Sequence, residues 1–194
     1  MELADGIARK LFIPFGKAGY DDLAARNIQR GRDHGIHVYG VWRQFCKLPA
    51  VHTFNDLKKY MEKGAAEVFE KLYSHPNDID LFAAGLAELH LPGLMVGPTF
   101  SCLFRHQFVS LREGDRFFYK EPNMFTHAQR TSIEKMSLAR VLCDNLKGSI
   151  SIQKNVFKVF DKANDRRVSC DSIPGIDLRA WHEVEKEPSC NIGT

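Results

Sequence analysis

Apolar residues in this chain recur at helical spacing, in short blocks cut by glycine and proline. The longest block, "TFSCLFRHQFVSLREGD" (99–115), sets Phe100, Leu103, Phe104, Phe108 and Leu111 on a helical period and stops at Gly114. "FNDLKKYMEKG" repeats the pattern with Phe54, Leu57 and Met61, behind Thr53, a residue suited to capping. Gly64 interrupts, and "AAEVFEKLYS" resumes with Ala65, Val68, Phe69 and Leu72. "IDLFAAGLAEL" predicts a short buried helix between a loop, "HPNDID" (75–80), and a Pro/Gly connector, "LPGLMVGP" (91–98). "FTHAQRTSIEKMSLARVLCDN" opens on a capping box, Thr126 with Gln129, and predicts one helix there and a second from near Ser137. After Gly148 the texture changes. "SISIQKNVFKVF" alternates and is β-branched, which predicts a strand or extended segment. "DKANDRR" reads as a polar turn, and a short packed element is expected around Leu178 and Trp181. No internal repeat or low-complexity tract is present. The fold class this pattern predicts is mainly α with little β.

Composition narrows the partners. The 194 residues fit one domain or a large piece of one. A net charge of +3 without any Lys/Arg block argues against a nucleic-acid partner. The most apolar window (89–104) is too short for a membrane span and is interrupted by His90, Pro92 and Pro98. The N-terminus carries Glu2 and Asp5 and lacks the apolar core of a signal peptide. That leaves a cytosolic protein, or a chain that does not start where the mature protein starts. The five cysteines (Cys46, Cys102, Cys143, Cys170, Cys190) form no CxxC pair, so no zinc or other metal site is expected, and spacing alone leaves their pairing open.

The most polar stretch is "DDLAARNIQRGRDHG" (21–35), directly before the aromatic run "YGVWRQFC" (39–46). Asp21 or Asp22 is expected to cap a helix to about Arg30, with Gly31 and Gly35 breaking it. Leu23, Asn27 and Arg30 are spaced i, i+4, i+7 and share one face. Arg26 and Arg32 are expected to pair with Asp22 and Asp33 or to face water, and His34 to be a satisfied structural histidine. Asn27 is a poor helix former in mid-helix, which points to an amide placed for one hydrogen bond. Arg30 offers a planar fork that matches a carboxylate. Together they suit a pocket for a flat apolar ligand that carries acid groups.

"DLAARNIQRGRDHGIHVYGVWRQFC" resembles the signature of the animal haem peroxidases. The resemblance continues, in family order, through "HTFNDLKKYM", "NDIDLFAAGLAE", "GPTFSCLFRHQFVSLREGDRFFY", "SLARVLCDN" and "CDSIPGIDLRAW", covering about Leu11 to Trp181. The peroxidasin and peroxinectin branch is the most similar. The resemblance implies a partial animal haem peroxidase fold, with 1–182 as the C-terminal part of the domain and 183–194 as a tail. It implies a haem-dependent reduction of hydrogen peroxide coupled to oxidation of halide or organic donors.

In that family an Asn accepts the hydrogen bond of the iron-ligating imidazole and an Arg three residues on meets a haem propionate. Asn27 and Arg30 match these positions as cofactor-binding residues. The family's proximal and distal histidines, distal arginine, haem-linking acids and calcium loop precede this segment. No histidine here lies upstream of Asn27, the first being His34. No catalytic residue, iron ligand or calcium site is therefore assigned to this chain, and the missing N-terminal half of the domain is its implied partner. His37, Val38 and Gly40 depart from the family's usual residues after the "RDHG" glycine, which puts the loop geometry in question. The resemblance also implies a secreted protein, with disulfides Cys46–Cys102 and Cys143–Cys170 and with Cys190 left over. A non-catalytic adhesion, matrix or defence module derived from a peroxidase is the alternative function.

Overall fold

The computed structural model describes residues 3–12, 21–148 and 151–182. The expected tail, with Cys190, lies outside them, as do the first two residues of the alternating stretch after Gly148. The chain divides into two compact units, Met1–Arg112 and Glu113–Thr194.

The first unit is helical. After the short α1 (Asp5–Ala8), α2 (Leu23–Asp33) starts where Asp22 accepts hydrogen bonds from the Ala24 and Ala25 backbone N–H groups. It runs through Gly31 instead of breaking there, because an interior glycine costs only about 1 kcal/mol against alanine. The chain turns instead at Gly35, with φ 65°. α3 (Tyr39–Phe45) buries Tyr39 and Arg43 and turns Val41 and Phe45 outward, so one face of the aromatic run is core. The expected helix after Thr53 is the single turn α4 (Phe54–Leu57), held by a capping box of Thr53 with Asp56. Met61 is not on that helix: it bridges to Glu88, and Glu62 N–H donates to the Ala87 carbonyl. α5 (Ala65–Leu72) follows Gly64, a 3₁₀ turn covers Pro76–Asp78, and α6 (Leu81–Ala87) and α7 (Pro98–Gly114) complete the unit. Its core is Tyr39, Val51, Leu57, Met61, Ala66, Phe69, Ile79 and Ala84.

A polar knot sits inside this core. Glu88, fully buried, accepts the Tyr39 hydroxyl at 2.6 Å, the Thr99 hydroxyl at 2.6 Å, the Thr99 backbone N–H at 2.8 Å and an Arg43 N–H at 3.2 Å. Arg43 also donates to the Pro49 carbonyl and stacks 4.2 Å from the Tyr60 ring centre. Every ionised group is thus matched, which is the condition for burying a charge pair. Burial and the Glu88 bond push the Tyr39 hydroxyl's pKa up. A Cβ on Gly97 would lie 2.3 Å from the Glu88 Cβ, so the connector passes this point only as glycine. The Cys46–Cys102 disulfide joins the end of α3 to α7.

In the second unit, α8 (His127–Glu134) has the expected capping box and α9 (Leu138–Asn145) is capped by Ser137. The extended stretch is reduced to β1 (Ser151–Ile152), antiparallel to β2 (Val168–Ser169). Cys143 is bonded to Cys170. The element around Leu178 and Trp181 is a 3₁₀ turn. Trp181 packs on Phe125, but Leu178 is 68% exposed, so the expected packing holds for only one of the two. Both units together are mainly α with little β.

Candidate functional site

A cavity of about 580 Å³ opens beside α2 in the first unit. Asn27 and Arg30 both line it, one turn apart on the helix face. Leu23, predicted to share that face, does not reach the cavity. The walls are apolar: Ile28 and Ile36 on one side, Leu81 and Phe82 at the start of α6, and Phe100 from the first turn of α7. Phe100 lies over Gly85, where a Cβ would come within 2.3 Å of the ring. Among the described residues, neither the Asn27 amide nor the Arg30 guanidinium has a hydrogen-bond or ion-pair partner. An amide and a cation are therefore left over at the edge of an apolar slot, which suits a flat apolar ligand with an acid group.

The neighbouring charges are spoken for. Arg32 donates to both oxygens of Asp80, at 3.0 and 2.6 Å, and Asp80 also accepts the Tyr73 hydroxyl at 2.8 Å. Arg26 meets Asp21. The predicted pairings with Asp22 and Asp33 are thus corrected: the Asp22 carboxylate is occupied at the helix cap, and Asp80 comes from another element. The Arg32 bond holds the Asp80 carboxyl below its ordinary range, while desolvation and the same carboxylate push the Tyr73 hydroxyl up. His34 lies on the cavity rim, exposed, with Nδ1 3.0 Å from the Arg30 carbonyl oxygen. Neither Asp80 nor Phe100 is expected at the site from sequence, Phe100 entering only as part of a helical period; an acid directly before an apolar helix, in "DIDLFAAG", is the available signal for Asp80.

No group of three or more His, Cys, Asp or Glu side chains able to hold a metal ion occurs among the described residues. No helix among them is long and apolar enough to cross a membrane.

The profile of the animal haem peroxidases matches residues 2–157. The chain belongs to the animal haem peroxidase family. The peroxidasin homolog of Homo sapiens is 47% identical over 163 residues, which is 84% of this chain and 11% of that protein. Thyroid peroxidase of Homo sapiens is 45% identical over 179 residues, 92% of this chain and 19% of that protein. This haem peroxidase-family chain thus spans between a tenth and a fifth of the curated relatives it matches. Among solved structures, peroxidase A from Dictyostelium discoideum aligns with a TM-score of 0.64 and 34% identity, over 78% of this chain and 29% of that one. Both disulfides that the family resemblance implied are formed. The family implies a haem cofactor, and the chemistry of the cavity on α2, apolar walls with one unpartnered amide and one unpartnered guanidinium, is compatible with such a group.

Proposed function

We propose that this chain forms one wall of a haem pocket in a secreted peroxidase, which reduces hydrogen peroxide and oxidises a halide or organic donor. The carrying observation is the pair Asn27 and Arg30, both without partners among the described residues, on one apolar-walled cavity. Arg30 holds a haem carboxylate, with its fork fixing the group's position. Asn27 would accept a hydrogen bond from the N–H of the histidine that holds the group, which would set that ring's tautomer and raise its basicity. That histidine comes from outside this chain, in the N-terminal part of the domain, to which residues 1–182 contribute the C-terminal part. Ile36, Leu81, Phe82 and Phe100 would supply the apolar contacts to the bound group. The peroxide chemistry itself is supplied by the bound haem. The two disulfides support an oxidising compartment.

A hemin titration of the 194-residue chain, followed in the Soret region with and without excess imidazole, tests this reading. Hemin alone gives no histidine-ligated band. Added imidazole, standing in for the absent ligand, gives a saturable complex at one equivalent. Asn27→Ala and Arg30→Ala each weaken that complex about tenfold or more. A histidine-ligated band with hemin alone that disappears in His34→Ala, or equal affinity in both variants, overturns the reading.

A further inference from the structure

A separate depression of about 520 Å³ opens over the Cys46–Cys102 disulfide, where the end of α3 meets α7. Phe45, Val109 and the disulfide form its apolar floor, and Lys47, Arg105 and His106 its rim. Cys102, Arg105, His106 and Val109 are spaced i, i+3, i+4, i+7, so α7 turns all four to this side. The His106 ring packs 5.1 Å from the Phe45 ring and braces the floor.

Among the described residues, the rim carries the cations Lys47 and Arg105 and no carboxylate. Elsewhere in this unit Arg9, Arg26, Arg32 and Arg43 each meet an Asp or Glu. Lys47 and Arg105 have no such partner among the described residues. The backbone at Lys47 adds a second sign. Its φ is 56°, just past the end of α3, where Leu48 N–H donates to the Arg43 carbonyl. Glycine takes this conformation without steric cost and is the usual residue there. The chain has a lysine instead, and Lys47 lines the depression.

We infer that this depression binds a small organic anion: a carboxylate or sulfonate attached to an apolar body. The acid group lies between the Arg105 and Lys47 cations, and the body lies on Phe45 and Val109. The volume is that of a small-molecule site, and a few charged groups over an apolar floor is the usual composition of one. The site is distinct from the cavity on α2 and does not depend on haem.

The test is a calorimetric titration of the 194-residue chain with 2-naphthoate, against neutral 2-naphthol and against acetate, which has no apolar body. At low ionic strength naphthoate saturates with a Kd at or below about 1 mM, at least about tenfold tighter than either control. Arg105→Gln and Lys47→Gly each weaken it about tenfold, while Lys47→Gly, which relieves the backbone, melts no lower than the parent chain. Hemin–imidazole binding is unchanged in both variants. Naphthol binding as tightly as naphthoate, affinity unaltered in both variants, or no saturation up to about 10 mM overturns the inference.

Discussion

Arg32 and Asp80, 48 residues apart in sequence, meet through a two-point contact, Nε to Oδ1 at 3.0 Å and Nη2 to Oδ2 at 2.6 Å. The contact ties the last turn of α2 to the start of α6, the two elements that bound the cavity. The carboxyl of Asp80 titrates below its ordinary range when folded. The folded chain therefore binds fewer protons there than the unfolded chain in mild acid. The stabilisation is complete above about pH 4 and fades as pH falls through the lowered value. Asp80→Asn lowers the melting temperature at pH 7 by about 2–4 °C and flattens the acid limb of the stability curve. Thermal melts from pH 2 to 7 read both effects; parallel curves for parent and variant count against the contact.

Glu88→Gln removes the negative charge and leaves the Arg43 guanidinium buried without its counter-charge. Destabilisation of about 3–5 kcal/mol is expected in urea unfolding. Combining Glu88→Gln with Arg43→Met costs less than the sum of the two single changes, with a coupling of about 0.5–3 kcal/mol. Additive losses would show that the pair is not one unit.

Gly85→Ala places a methyl group 2.3 Å from the Phe100 ring. The ring, which lines the cavity on α2, is the movable partner. Overpacking of this kind costs about 1–3 kcal/mol. The variant folds, melts lower and binds hemin–imidazole more weakly than the parent. Hemin affinity equal to the parent's would separate Phe100 from the ligand site.

Asp177 accepts hydrogen bonds from the Arg179 side chain at 2.9 and 2.7 Å and from its backbone N–H at 3.1 Å. These bonds, the side-chain ones foremost, lower its pKa to about 2. A carboxyl-carbon NMR titration finds that midpoint in the parent chain and a return toward the ordinary carboxylate value, about 4, in Arg179→Gln. An unmoved midpoint would put the cause elsewhere.

Local chemistry was readable. The helix starts at Asp22, Thr53, Thr126 and Ser137 follow from side chains that satisfy backbone N–H groups within three residues. The shared orientation of Asn27 and Arg30 follows from helix periodicity alone. Contacts made across the chain were not readable. Met61 fits a helical period, yet the pairing of its neighbourhood with Ala87–Leu89 draws it into a bridge. Arg32 had Asp33 beside it in sequence, but adjacent residues on a helix point apart, and Asp80 takes its place. Arg43 stands in an aromatic run with no local acid, and only the fold brings Glu88 to it.

Glu88 lies beyond the end of α6, yet its carboxylate accepts the Thr99 N–H in the first turn of α7. α7 thus has no independent beginning: a residue on the far side of the Leu89–Gly97 connector completes it, and Tyr39 and Arg43 of α3 grip the same carboxylate. Amide protons at the head of α7 and within α3 are therefore expected to exchange as one cooperative block, a coupling that native-state hydrogen exchange reads directly.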